Sequence, residues 1–326
     1  MRVVVTGGAG FVGSHLVDYH VAAGDQVVIV DDFSTGSRAN LAHHRPAAIE
    51  LVEARVEEMP DFGALLDGAD RIYHLAAAVG VFSVLSRPLD ALRRNLGASE
   101  IVFEEASKRG IRTIFTSTSE VYGKNDADAL RESDDSIFGP TSVSRWLYAI
   151  SKAADECLAL AYEREAALPI TVVRLFNTTG TRQTGAYGMV LPRFVRQALA
   201  GEPLTVFGDG RQTRCFTNVH DVVEAIVRLA ISAEAVGKVV NVGYPHEIEI
   251  RELAALVIRM TGSTSAIESV EYEDAYGPGF EDMRRRMPDV SLLRKLIDYV
   301  PTTGLEETIR QVVADGQAQR ATKPSR

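Results

Sequence analysis

The chain has 326 residues, 46% of them hydrophobic, enough for a sizeable packed core in one or two domains. Its net charge is −9 and its pI near 5.4, which argues against a nucleic-acid surface and leaves any anionic substrate to a few local arginines. Two cysteines, Cys157 and Cys215, with no CxxC argue against a disulfide framework or a metal site. The MRVVVTGG opening lacks a signal-peptide pattern, and no apolar run reaches membrane-spanning length, so a cytoplasmic protein without membrane contact is expected.

In chain order, RVVVT (2–6) reads as a buried strand and leads into VTGGAGFVGSHLV, with Gly7, Gly10 and Gly13 between that strand and a helical stretch at 11–22. Glycines there permit a tight turn and let the backbone approach a pyrophosphate, which the free N–H groups of the helix start would hold. QVVIVD (26–31) is the next strand and ends on Asp31. A carboxylate at that place accepts from the adenosine ribose hydroxyls and repels a 2′-phosphate, so NAD is expected rather than NADP.

AIELVE (48–53), RIYHLA (71–76), RTIFTS (112–117) and ITVVRLF (170–176) read as further strands, with periodic helical stretches at 89–108 and 145–167. The alternation predicts an α/β, Rossmann-type doubly wound parallel sheet. After residue 177 the elements shorten and Gly and Pro become frequent. The expected division is a cofactor domain over 1–176 and a smaller substrate-binding domain over 177–326, with the chain returning to the sheet at about 218–243.

Tyr148 and Lys152 in YAISK are four residues apart, so they share a helix face. An unperturbed Tyr, with a pKa of about 10, is a poor base at neutral pH. A nearby ammonium and a positive nicotinamide ring stabilise the phenolate, which can then take a sugar hydroxyl proton as hydride leaves the same carbon. Lys152 can also hold the nicotinamide ribose.

With TGGAGFVGSHLV, VDDFSTG, YHLAA, TSTSEVYG, YAISK, RLFNTTGTRQ, PLTVFGDGRQTRCFTNVHD and DMRRRMPD quoted together, the chain resembles the extended short-chain dehydrogenase/reductase family of nucleotide-sugar epimerases, dehydratases and decarboxylases over residues 3 to 315. The resemblance implies that Thr118 completes a Thr-Tyr-Lys triad on the sugar 4-hydroxyl. It places Phe11 and Val12 on the pyrophosphate turn, Asp32, Phe33, Ser34, Thr35 and Gly36 around the adenosine ribose, and Leu75, Ala76 and Ala77 along the cofactor. It further implies that Asn177, Val190, Val206, Phe207, Arg214 and Arg286 hold a UDP-sugar and that the protein is a homodimer through 89–108 and 145–167. Arg55 departs from the pattern, standing where relatives carry an Asp that meets adenine, and Thr181 stands where many have Pro.

Ser119 and Glu120 beside Thr118 bear on the reaction. Relatives with chemistry at sugar C5 carry a Glu there, whereas a 4-epimerase has no need of one. Together with AYGPGFEDMRRRMPD, RWLYAISK and LAGEPLTVFGDGRQTR, the pair is similar to UDP-glucuronate decarboxylases. In such enzymes C4 oxidation makes a ketone β to the C6 carboxylate, CO2 leaves, and re-reduction gives UDP-xylose. Ser119, Glu120 and Arg286 then join Thr118, Tyr148 and Lys152 as catalytic candidates. Glu120 either orders water or the ring near C5 or orients the triad loop. The other readings are a UDP-sugar 4-epimerase, a nucleotide-sugar 4,6-dehydratase and a dinucleotide-sensing protein with no reaction.

Overall fold

The computed structural model describes residues 1–78, 87–185, 189–276 and 283–321. The first half of the chain alternates β1 (Arg2–Thr6), α1 (Phe11–Ala22), β2 (Gln26–Asp31), β3 (Ile49–Glu53), β4 (Arg71–His74), α2 (Pro88–Arg109), β5 (Arg112–Thr118), α3 (Leu147–Ala166) and β6 (Ile170–Leu175). Apart from the edge strand β3, the strands are short runs with little solvent contact, as sheets covered on both faces require. With β11 (Val239–Val242) they form one seven-stranded parallel sheet in the order β11-β6-β5-β4-β1-β2-β3. One core lies on each face. Val3, Val5, Ile29 and Val173 pack under α1 and the later helix α5 (Val219–Ile231), and Val4, Ile72, Phe115 and Val172 pack under α2 and α3.

The order reverses at β1, whose neighbours are β2 and β4, so a crevice opens beyond the carboxyl ends of β1 and β4. Two differences from the sequence reading help shape it. β4 stops at His74; the Leu75 N–H makes one more bond to the Thr6 carbonyl, at 3.1 Å, and Leu75–Ala78 then line the crevice. The helix expected from 145 begins at Leu147, after a tight turn over Ser144–Trp146 that turns Arg145 inward.

The second half adds β7 (Thr178–Thr179), α4 (Val190–Ala200), β8 (Leu204–Phe207), β9 (Thr213–Cys215), β10 (Thr217–Asn218), α5 (Val219–Ile231), β12 (Glu247–Glu249), α6 (Ile250–Thr261), β13 (Ile267–Val270), α7 (Ser291–Ile297) and α8 (Leu305–Ala321). Asn218 caps α5, its side chain accepting from the His220 N–H at 2.9 Å, and α5 leads to β11, which pairs with β6 from Val239↔Val172 to Val242↔Leu175. The pairs β8·β13 and β9·β12, with α4, α6 and α8, surround a separate core that includes Phe194, Leu204, Val206, Leu253 and Ile309. Among the described residues no helix is long and apolar enough to cross a membrane.

Candidate active site

A cavity of about 490 Å³, within the usual size of small-molecule sites, follows the crevice. Asp31, Asp32, Ser34, Thr35, Arg55 and Glu57 line it by β2 and β3. Gly7, Gly10, Phe11, Val12, Gly13 and Leu75–Ala77 line its middle. Thr118, Ser119, Glu120 and Tyr148 follow, then Asn177, Val190, Phe207, Arg214 and Arg286. It thus gathers residues from positions 7 to 286 of the chain.

The glycine turn is built by backbone. Gly7 has φ +74°, and a Cβ there would sit 2.8 Å from the Ala76 nitrogen. A Cβ on Gly13 would overlap the Gly7 carbonyl oxygen. Helix α1 starts at Gly10 with no side-chain cap and no acid in its first turn, so its leading N–H groups face the cavity side uncapped. A cradle that any Cβ would fill, ending on an uncapped helix, fits a pyrophosphate. Asp31 accepts from the Ala9 and Phe33 N–H groups at 2.9 and 2.8 Å, and burial pushes its carboxyl above the usual range.

Asp32 is not left to a ribose alone. Arg55 Nε donates to its Oδ2 at 3.0 Å and Arg94 Nη2 at 2.5 Å, while the Ser34 N–H and hydroxyl donate to Oδ1. Burial raises this carboxyl, but Ser34, Arg94 and Arg55 outweigh it and hold it below the usual range. The departure at Arg55 is therefore an ion pair with Asp32. Arg94 was not singled out in the sequence, because nothing local separates it from a solvated helix arginine.

Four of the expected site residues are not on the cavity wall. Val206 alternates with Phe207 along β8, so its side chain enters the core instead of the cavity. Phe33, at φ +56°, carries Arg38 stacked on its ring at 4.3 Å. Gly36 lies behind Asp31, where a Cβ would be 2.9 Å from Oδ1. Lys152 lies behind the wall, 2% exposed, its Nζ 3.9 Å from the centre of the Phe115 ring and 3.6 Å from Asp155 Oδ2. Gln183 lines the cavity beside Thr179, whereas Val79–Val81 and Ala186–Tyr187 lie outside the described residues.

The Thr118 side chain accepts from the Glu120 N–H at 3.2 Å and hydrogen-bonds the Tyr148 phenol. Burial, then the Glu120 and Asp155 carboxylates, push that phenol above its ordinary value, and Thr118 offsets only part. Of the two influences expected to lower Tyr148, the ammonium and the nicotinamide ring, the Lys152 ammonium is paired with Asp155 at 3.6 Å and does not offset the rise. Glu120 lies between two guanidinium groups, Arg145 Nη2 at 2.6 Å and Arg286 Nη1 at 2.8 Å. Burial would raise its carboxyl, but Arg286 and Arg145 hold it down to about 2. Ser119 Oγ accepts from Arg286 Nη1 at 3.4 Å.

Arg145 was missed in the sequence. Its only signal was its place in RWLYAISK, just before Tyr148. Further along, Arg193 stacks on the Phe207 ring at 4.0 Å, and Gln212 donates to the Phe207 carbonyl and the Tyr272 hydroxyl. Asn177 sits at φ +24° with its side-chain nitrogen buried and no hydrogen-bond partner among the described residues, so it has a donor to give to a ligand.

Comparison with known proteins gives the chain a family. Residues 3–243 match the model of the NAD dependent epimerase/dehydratase family. The chain is 37% identical over 313 residues, 96% of each protein, to a UDP-N-acetyl-alpha-D-glucosaminuronate decarboxylase of Bacillus cytotoxicus. It is 37% identical over 317 residues to UDP-glucuronic acid decarboxylase 4 of Arabidopsis thaliana, covering 97% of this chain and 68% of that one. It is also similar to a solved UDP-glucuronic acid 4-epimerase of Bacillus cereus in complex with UDP-glucuronic acid and NAD, at 26% identity and a TM-score of 0.87, over 98% of this chain and 100% of that one.

Proposed function

Because the chain belongs to the NAD dependent epimerase/dehydratase family, we propose that it decarboxylates UDP-glucuronate to UDP-xylose with NAD as its cofactor. The observation that carries this reading is the Arg145–Glu120–Arg286 cluster beside Tyr148. Two guanidinium charges against one carboxylate leave a net +1 on the cavity wall, the complement of a uronate. A carboxyl held at about 2 is ionised at neutral pH and a weak proton acceptor, so a dehydratase role with Glu120 as the C5 base is disfavoured.

The glycine turn and the uncapped start of α1 would hold the pyrophosphate, and Asp31 the adenosine ribose. When bound, NAD supplies a hydride acceptor at sugar C4 and, in its oxidised form, a positive ring beside the phenol. Tyr148 takes the proton of the 4-hydroxyl, its oxygen fixed by Thr118. Once C4 is a ketone, the C6 carboxylate is β to it and leaves as CO2. Tyr148 and Thr118 donate to the developing enolate oxygen. Glu120 keeps Arg145 and Arg286 aimed at the sugar, a proton reaches C5 from water, Tyr148 or Arg286, and return of the hydride to C4, with a proton from Tyr148 to its oxygen, would give UDP-xylose. Phe207, Arg214 and Asn177 are placed for the nucleotide diphosphate, where a planar guanidinium meets phosphate oxygens two at a time.

The test is incubation with UDP-glucuronate and NAD, read by mass spectrometry of the sugar nucleotide. Loss of the mass of one CO2 is the expected result. An unchanged mass with a new isomer would make the protein an epimerase. The near full-length match to a decarboxylase of an N-acetylated uronate favours a second reading, in which the UDP-linked uronate carries an acetamido group. The same assay with that substrate separates the two by rate. The reading includes a homodimer, packed through α2 and α3 and testable by light scattering. Cys157 and Cys215 are both free, which fits a cytoplasmic setting.

A further inference from the structure

Helix α3 carries a charged group that the mechanism above does not use. Asp155 is 0% exposed and sits one turn beyond Lys152, its Oδ2 3.6 Å from the lysine Nζ. Ser99 of α2 faces the same carboxylate, and its hydroxyl is 3.3 Å from Nε2 of His74 on β4. The other ring nitrogen of His74 is 2.7 Å from the Thr6 hydroxyl. A buried polar file thus runs from β1 through β4 and α2 to the lysine behind the cavity wall. Burying an acid and a lysine in a core is a poor way to add stability, since an apolar pair of similar volume does as well or better. Such a pair invites a reason in the chemistry of the site beside it.

Resting on the role proposed above for Tyr148 as the base, we infer that Asp155 is a positioning residue, the buried counter-ion that holds Lys152 behind Tyr148 as an ammonium. The other groups facing Lys152 do not substitute for it. Glu156, on the same helix, is taken by Arg174 of β6 at 2.7 Å and by the Ser117 hydroxyl of β5. His74 is kept neutral by burial and by the lysine charge, with its pKa down to about 3. Phe115 of β5 offers only its ring face. Burial pushes Lys152 down, and among the opposing influences Asp155 is the first and Glu156 the second. The same carboxylate raises Tyr148, as Glu120 does. One buried charge therefore acts on both members of the pair in the same direction.

Removing a negative charge favours the deprotonated form of every neighbour, so Asp155→Asn should lower Lys152 and Tyr148 together. The first readout is NADH affinity against pH, followed by NADH fluorescence, which weakens as the positive charge of Lys152 behind the cavity wall is lost. The pH of that weakening is expected to fall by about one unit in Asp155→Asn and to stay in place in Asp155→Glu, which keeps the charge. The second readout is the pH profile of decarboxylation, both limbs of which should move to lower pH together. A weaker affinity or lower rate with unmoved midpoints would make Asp155 a packing residue and overturn the inference. If Asp155→Asn does not fold, Asp155→Ser carries the same expectation. The NADH titration needs no turnover, so a wild-type protein inactive on UDP-glucuronate would refute the decarboxylase reading and still leave this one decided.

Discussion

The two ends of the cavity are built in different ways. The end proposed for the pyrophosphate is made of backbone, with a turn that admits no Cβ at Gly7 or Gly13 and a helix whose first N–H groups are uncapped. The end proposed for the sugar is made of side chains, with Glu120 after β5, Arg145 before α3 and Arg286 from a loop more than a hundred residues later, all meeting within hydrogen-bond distance. A backbone site depends on local shape and tolerates little volume. A side-chain site depends on charge balance among distant segments and is sensitive to isosteric changes that alter charge alone.

Substitutions can break that contrast, and the largest effect is expected at the sugar end. Tyr148→Phe should lower the decarboxylation rate by about 10²- to 10⁴-fold while NAD affinity stays near wild type, as separate kinetic and binding titrations would reveal. Glu120→Gln should destabilise the fold by about 3–5 kcal/mol in chemical denaturation, because it leaves two buried guanidinium groups without their carboxylate. The pH dependence has a definite sign. Glu120 is depressed to about 2 from the ordinary glutamate range, so its stabilising contribution is complete above about pH 4.5 and is lost as pH falls toward 2. Wild type should therefore lose stability over that window more steeply than Glu120→Gln in acid denaturation.

At the backbone end, Gly13→Ala should weaken NAD binding by about 10- to 100-fold, the cost of overpacking by one methyl, with little change in the affinity for free UDP. The smallest effect belongs to Arg55. It is about one-third exposed and shares Asp32 with Arg94, so Arg55→Ala should change NAD affinity by less than about fivefold in fluorescence titration. Equal losses from Gly13→Ala and Arg55→Ala would show that side chains, not the backbone turn, dominate cofactor affinity.

The same contrast explains what could be read from residue order. The seven strands of the sheet, the glycine turn and the Tyr148–Lys152 spacing were legible because each depends on neighbours within a few positions: β-branched runs, a strand–turn–helix succession, one helical turn. Phe207 and Val206 mark the limit at short range. Both were expected at the substrate, but pleating turns only Phe207 to the cavity and sends Val206 into the core. Lys152 was expected at the cofactor and in fact lies behind the wall.

Local order carries backbone shape, because φ/ψ preferences and hydrophobic periodicity act within a turn or a strand. Arg145 facing Arg286 across Glu120 and Arg94 reaching Asp32 depend on how segments pack. No local pattern distinguishes those arginines from solvated ones. Their roles follow from burial, which strips away water and makes each charge answer to whatever partner the fold has brought within a few ångströms.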